Sequence, residues 1–87
     1  MPTVKLLGGL RKLVASDQRI DATTVAEILR RVRLPPDLLF PAGRLNPDVE
    51  VLVNGRNIAF LNGVNTTLES SDRVTIFLHG ARGYPGG

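Results

Sequence analysis

Short apolar runs alternate with polar, turn-forming clusters along the chain, and that rhythm predicts its elements. Thr3-Val4-Lys5-Leu6-Leu7 reads as a strand. Gly8-Gly9 follows, a dipeptide that suits a tight hairpin turn, and Leu10-Arg11-Lys12-Leu13-Val14 reads as the returning strand. Ser16 to Ala22 is polar and turn-rich. Thr24-Val25-Ala26-Glu27 matches a capping box, in which the Thr hydroxyl accepts from the Glu27 amide and Glu27 reaches back. Val25, Ile28, Leu29 and Val32 then recur at the spacing of one helical face. Arg30, Arg31 and Arg33 crowd its last turn, and Pro35-Pro36 is expected to end it.

Leu34 to Asp48 is a proline-rich connection, interrupted by Leu38-Leu39-Phe40, which reads as a short turn tucked against the core. Val49 to Val53 alternates as a strand. Asn54-Gly55 is a strong hairpin signal, because a type I′ turn needs positive φ at both central residues. Arg56-Asn57-Ile58-Ala59-Phe60 reads as the short strand returning from it. Turn signals at Asn62-Gly63 and Ser70-Ser71-Asp72 surround the isolated Leu68, and Arg73 to Leu78 is the last strand.

The order β-β-α-β-β-β predicts an α+β fold of the β-grasp, ubiquitin-like type. It has a mixed sheet of about five strands, the terminal strands side by side at its centre, and one main helix on one face. Alternation turns Val49, Val51, Val53, Val74, Ile76 and Leu78 toward the helix. Leu52, Phe77 and Phe60 then face away and form a candidate partner surface. The expected organisation is a domain over residues 1–78 followed by a flexible tail over 79–87, because the Gly/Pro-rich end has almost no apolar surface to bury.

Composition narrows the chemistry. Eighty-seven residues make one domain. There is no cysteine, which excludes disulfides, a thiolate nucleophile and a cysteine-based zinc site. The single histidine, His79, has no second metal ligand beside it in sequence, so no metal site is expected. No apolar run approaches the ~20 residues of a membrane span, and no signal peptide is visible; a soluble, cytoplasmic protein is the expectation. The net charge is +3, with nine of eleven basic residues arginine. A small RNA-binding module is a remote alternative on that charge. The scattered Phe40, Phe60, Phe77 and Tyr84 offer no stacking platform, so no nucleic-acid partner is expected.

The C-terminal half resembles the sulfur-carrier branch of the ubiquitin-like proteins and looks most like the small subunit of molybdopterin synthase (MoaD-like). ThiS-like carriers and archaeal ubiquitin-like modifiers are related. The resemblance rests on Val51-Leu52-Val53-Asn54-Gly55-Arg56, Phe60-Leu61-Asn62-Gly63-Val64-Asn65-Thr66-Thr67-Leu68, Asp72-Arg73-Val74-Thr75-Ile76-Phe77 and the closing Gly86-Gly87. The helix from Thr24 to Leu29 falls where the family has one, while the tail with Arg82, Tyr84 and Pro85 is longer than the family's usual ending.

The resemblance implies a carrier rather than an enzyme. The Gly87 carboxylate is adenylated by an E1-like enzyme using ATP and is then converted to a thiocarboxylate. Gly86, lacking Cβ, admits the chain to a narrow tunnel, and Pro85, Tyr84 and Arg82 guide it. The implied partners are that activating enzyme and the large subunit of molybdopterin synthase, or conjugation targets if Gly87 is joined to lysines. Sulfur donation to thiamine or to tRNA is a further alternative. No cofactor is expected on the chain itself.

Overall fold

The computed structural model describes residues 1–7 and 17–78. The apolar, β-branched runs form strands β1 (Thr3–Leu6), β3 (Val49–Val53) and β5 (Arg73–Leu78). The short strands β2 (Asp17–Arg19) and β4 (Arg56–Asn57) complete a five-stranded sheet in the order β2-β1-β5-β3-β4. β1 and β5 run parallel, with Thr3 opposite Arg73 and Leu6 opposite Ile76; the other pairs are antiparallel. The terminal strands therefore lie side by side at the sheet centre, as the element order predicts.

Helix α1 (Val25–Arg31) lies against one face. Its Val25, Ile28 and Leu29 are buried with Val4, Leu6, Val51, Val74 and Ile76. Burial of this kind stabilises by about 1.5–3 kcal/mol per large aliphatic side chain. Thr24 caps the helix through its hydroxyl, which accepts from the Glu27 amide at 3.2 Å. The Glu27 carboxylate reaches one residue further back than a capping box predicts. It accepts from the Thr23 amide at 2.7 Å and the Thr23 hydroxyl at 2.9 Å. The helix start is also tied to the strand-poor segment before β5, because Val25 N–H donates to Thr66 O and Leu68 N–H to Thr23 O. That tie buries Leu68.

Three local expectations are corrected. Residues Asp17–Arg19, read as turn, form an edge strand, because an edge strand with one solvent-facing side accepts polar residues. The run from Arg56 to Phe60 is a strand only to Asn57. There the Asn57 side chain accepts from Ala59 N–H at 2.8 Å and caps a 3-10 turn, Ile58–Phe60. Pro35-Pro36 does not simply stop a helix. α1 ends at Arg31, and Pro36 occupies the first turn of a second short helix, α2 (Pro36–Leu39), where its missing amide costs nothing. α2 buries Leu39. The expected Gly8-Gly9 turn and the strand Leu10–Val14 lie outside the described residues.

The long connection is organised by Asn46. Its side-chain amide donates to Leu38 O at 2.9 Å and its side-chain oxygen accepts from Asp48 N–H at 2.9 Å. Its backbone joins Leu39 to Val49. The Asn54-Gly55 turn is as the sequence predicts, with φ of 53° and 85°.

Candidate docking face and tail exit

The site is built on β5, the middle strand, which pairs with β1 on one side and β3 on the other. Val74 and Ile76 point into the core, which leaves Arg73, Thr75 and Phe77 on the opposite, open face. β3 places Leu52 there, opposite Thr75, while Phe77 lies opposite Glu50. Leu52 and Phe77 are thus diagonal neighbours, within reach of an aromatic ring. Both are half-buried. Phe60, the third residue expected on this face, stands instead on the 3-10 turn after β4 and is 81% exposed. Ala59, in the same turn, lines a shallow groove of about 400 Å³ with Leu45, Pro47, Val51, Ile58 and Val64.

β5 is held in register by a polar clamp at its start. Asn54 donates from Nδ2 to Asp72 Oδ1 at 2.9 Å and accepts at Oδ1 from Arg73 N–H at 2.9 Å. Its own N–H donates to Arg73 O at 2.8 Å. The Glu69 amide, at 2.8 Å from Oδ2, and the Asn54 amide hold the Asp72 carboxyl below its ordinary range. Thr3 N–H donates to Asp72 O, which joins β1 to the same point. At its other end β5 finishes at Leu78, opposite Val49. Gly87, Gly86, Pro85, Tyr84 and Arg82 lie outside the described residues, as does His79.

The open face carries a second group that the sequence reading did not single out. Arg19, Thr3 and Arg73 form one row across β2, β1 and β5, and Asp17, Lys5 and Thr75 form the next. Only the cross-strand register brings these residues together; nothing in their sequence spacing does. Among the described residues no group of His, Cys, Asp and Glu could hold a metal ion, and no helix is long and apolar enough to cross a membrane.

A mixed sheet with parallel terminal strands at its centre and one main helix across a face defines a β-grasp protein of the ubiquitin-like kind. The chain belongs to the ThiS family, whose model matches residues 4–80, and so to the ubiquitin-like carriers and modifiers. Small archaeal modifier protein 3 of Haloferax volcanii is 36% identical over 61 residues, 66% of each chain, so the match spans just under two thirds of that relative. The small archaeal modifier protein 1 of Methanosarcina acetivorans superposes with a TM-score of 0.79 at 25% identity, over 88% of this chain and 90% of that one. CysO of Amycolatopsis orientalis, solved in a complex with BexX, shares the fold. Its TM-score is 0.75 at 22% identity, over 90% of this chain and 94% of that one.

Proposed function

We propose that this chain is a sulfur carrier whose Gly87 carboxylate is activated by an E1-like enzyme and donates sulfur in molybdopterin biosynthesis, as a carrier and not a catalyst. One observation carries the reading. The central strand of a ThiS-family fold ends at Leu78, and nine residues later the sequence closes on Gly86-Gly87. At ~3.3–3.6 Å per residue those nine reach at most about 30–32 Å, enough to enter a partner's active site while the domain docks outside.

A terminal carboxylate, with an ordinary pKa of about 3.3–3.7, is a poor electrophile at neutral pH. Attack of its oxygen on the α-phosphorus of ATP releases pyrophosphate and gives an acyl-adenylate. Sulfide (HS⁻) then adds to the carbonyl carbon, expels AMP and loses its proton, leaving the thiocarboxylate. Gly86 gives the approach its narrow cross-section, while Tyr84, Pro85 and Arg82 line the path. Leu52, Phe77 and Phe60 supply the apolar contact with the activating enzyme or with the large subunit of molybdopterin synthase. This chain contributes no cofactor; the ATP belongs to the activating enzyme, and the reaction is cytoplasmic.

A second reading is favoured by the relative named as a modifier: the same adenylate is attacked by a target lysine, giving an isopeptide at Gly87. Both readings share the first step and one test. Intact mass of the chain after incubation with an E1-like enzyme and ATP is expected to show an adenylate, and, once sulfide is added, one oxygen exchanged for sulfur. Removing Gly86-Gly87 abolishes the product and leaves the melting temperature unchanged. A deletion that unfolds the domain, or a chain that no activating enzyme modifies, would sink the proposal. Added lysine-bearing proteins separate the two readings by the appearance of a conjugate.

A further inference from the structure

We infer that the β2-β1-β5 end of the open face is a docking site for a carboxylate-bearing segment of the activating enzyme, gripped by Arg19 and Arg73 on either side of Thr3. The inference rests on the carrier reading for the identity of the partner and on the sheet for the site. Thr3 is opposite Arg19 on one side and Arg73 on the other. At about 4.8 Å between strands, the two arginines stand roughly 10 Å apart on one face. Lys5 follows on the same face with Asp17 opposite it. Thr3, Lys5, Asp17, Arg19, Arg73 and Thr75 line a shallow groove of about 510 Å³.

Among the described residues neither guanidinium, nor the Lys5 ammonium, has a hydrogen-bond or ion-pair partner. Arg31, by contrast, donates from Nη1 to Asp21 O at 2.8 Å. Two planar guanidinium forks suit carboxylates in a bidentate geometry.

A nucleic acid fits the groove less well. Among the described residues no aromatic ring lines it to stack a base. The apolar pair Leu52 and Phe77 continues the same face along β5, so the whole has the layout of a protein interface, an apolar patch with a charged rim. Arg73 lies five residues before Leu78, about 17 Å along the strand. The basic grip thus sits at the far end of the face from the tail exit and fixes the domain's orientation while the tail is threaded.

Exposed charge pairs act mainly on encounter rate and salt dependence. The test uses an adenylating enzyme that gives the mass-shifted product, and reads KM and kcat for the full chain in ATP–pyrophosphate exchange as NaCl is raised. Arg19→Glu with Arg73→Glu is expected to raise KM by about tenfold at low salt, to leave kcat unchanged and to flatten the salt dependence. Arg30→Glu, on the helix, is the control and leaves KM as it was. Arg19→Gln with Arg73→Gln guards against misfolding and gives a smaller change of the same sign. An unchanged KM, or an equal rise for Arg30→Glu, overturns the site.

If no enzyme gives the product, it is the carrier reading that has failed, and the groove is then probed alone by NMR with hexaglutamate. Salt-sensitive shifts at Thr3, Arg19 and Arg73 that vanish in the double variant support it. Shifts elsewhere, none, or a stronger response at these residues to oligouridylate refute it.

Discussion

Asn54 does two jobs with one side chain. Its backbone takes the left-handed conformation, φ 53°, that the turn requires, and its amide closes the clamp on Asp72 and Arg73. Asn54→Ala loses both the tolerance for positive φ and the side-chain bonds. The expected cost is about 2 kcal/mol, a drop of roughly 8–16 °C in melting temperature by calorimetry. Asn54→Gly keeps the backbone and loses only the bonds, so about half that drop is expected; equal losses would contradict the division. Asp72 and Glu27 give the fold an acid limb. Donation from the Glu69 and Asn54 amides lowers the Asp72 pKa, and the Thr23 amide and hydroxyl lower that of Glu27. A carboxyl held low in the fold contributes stability that is complete above its unfolded value, near 4, and lost as pH falls through the lower folded value. Chemical denaturation from pH 6 to pH 2 is expected to show that loss. Asp72→Asn with Glu27→Gln flattens the profile.

At the scale of elements, what the sequence reveals is what local chemistry decides. The hydroxyl at Thr24, the alternating Val49, Val51 and Val53 and the Asn54-Gly55 turn each set their own geometry, and each is where the pattern predicts. β2 is not legible, since Asp17-Gln18-Arg19 has no apolar alternation and becomes a strand only because β1 has an open edge. The 3-10 turn at Ile58–Phe60 is hidden for the opposite reason. Its residues have strand propensity, and the Asn57 cap overrides it. The candidate site divides the same way. Leu52 and Phe77 follow from the two-residue period, whereas Arg19 and Arg73 become neighbours only through a strand order that sequence distance conceals. The two faces of β5 should therefore differ sharply under mutation. Ile76→Ala, in the fully buried centre, is expected to cost about 2–5 kcal/mol. Thr75→Ala, half-exposed one position before it, is expected to change stability by less than about 1 kcal/mol. Guanidinium denaturation of the two variants checks the contrast.

Considered whole, the molecule has a modest net charge of +3, from eleven basic and eight acidic residues. A charge that small gives no strong overall field, and its encounters depend on how charge is arranged on each face. The sheet's central pair has a further, mechanical meaning. β1 and β5 are parallel neighbours, with Thr3 opposite Arg73 and Leu6 opposite Ile76. Tension applied to the chain ahead of Thr3 and beyond Leu78 draws the two strands past each other lengthwise. Their cross-links then bear the load together, in shear, instead of parting one by one like a zip. A domain pulled from those two points would resist along the line of its central strands.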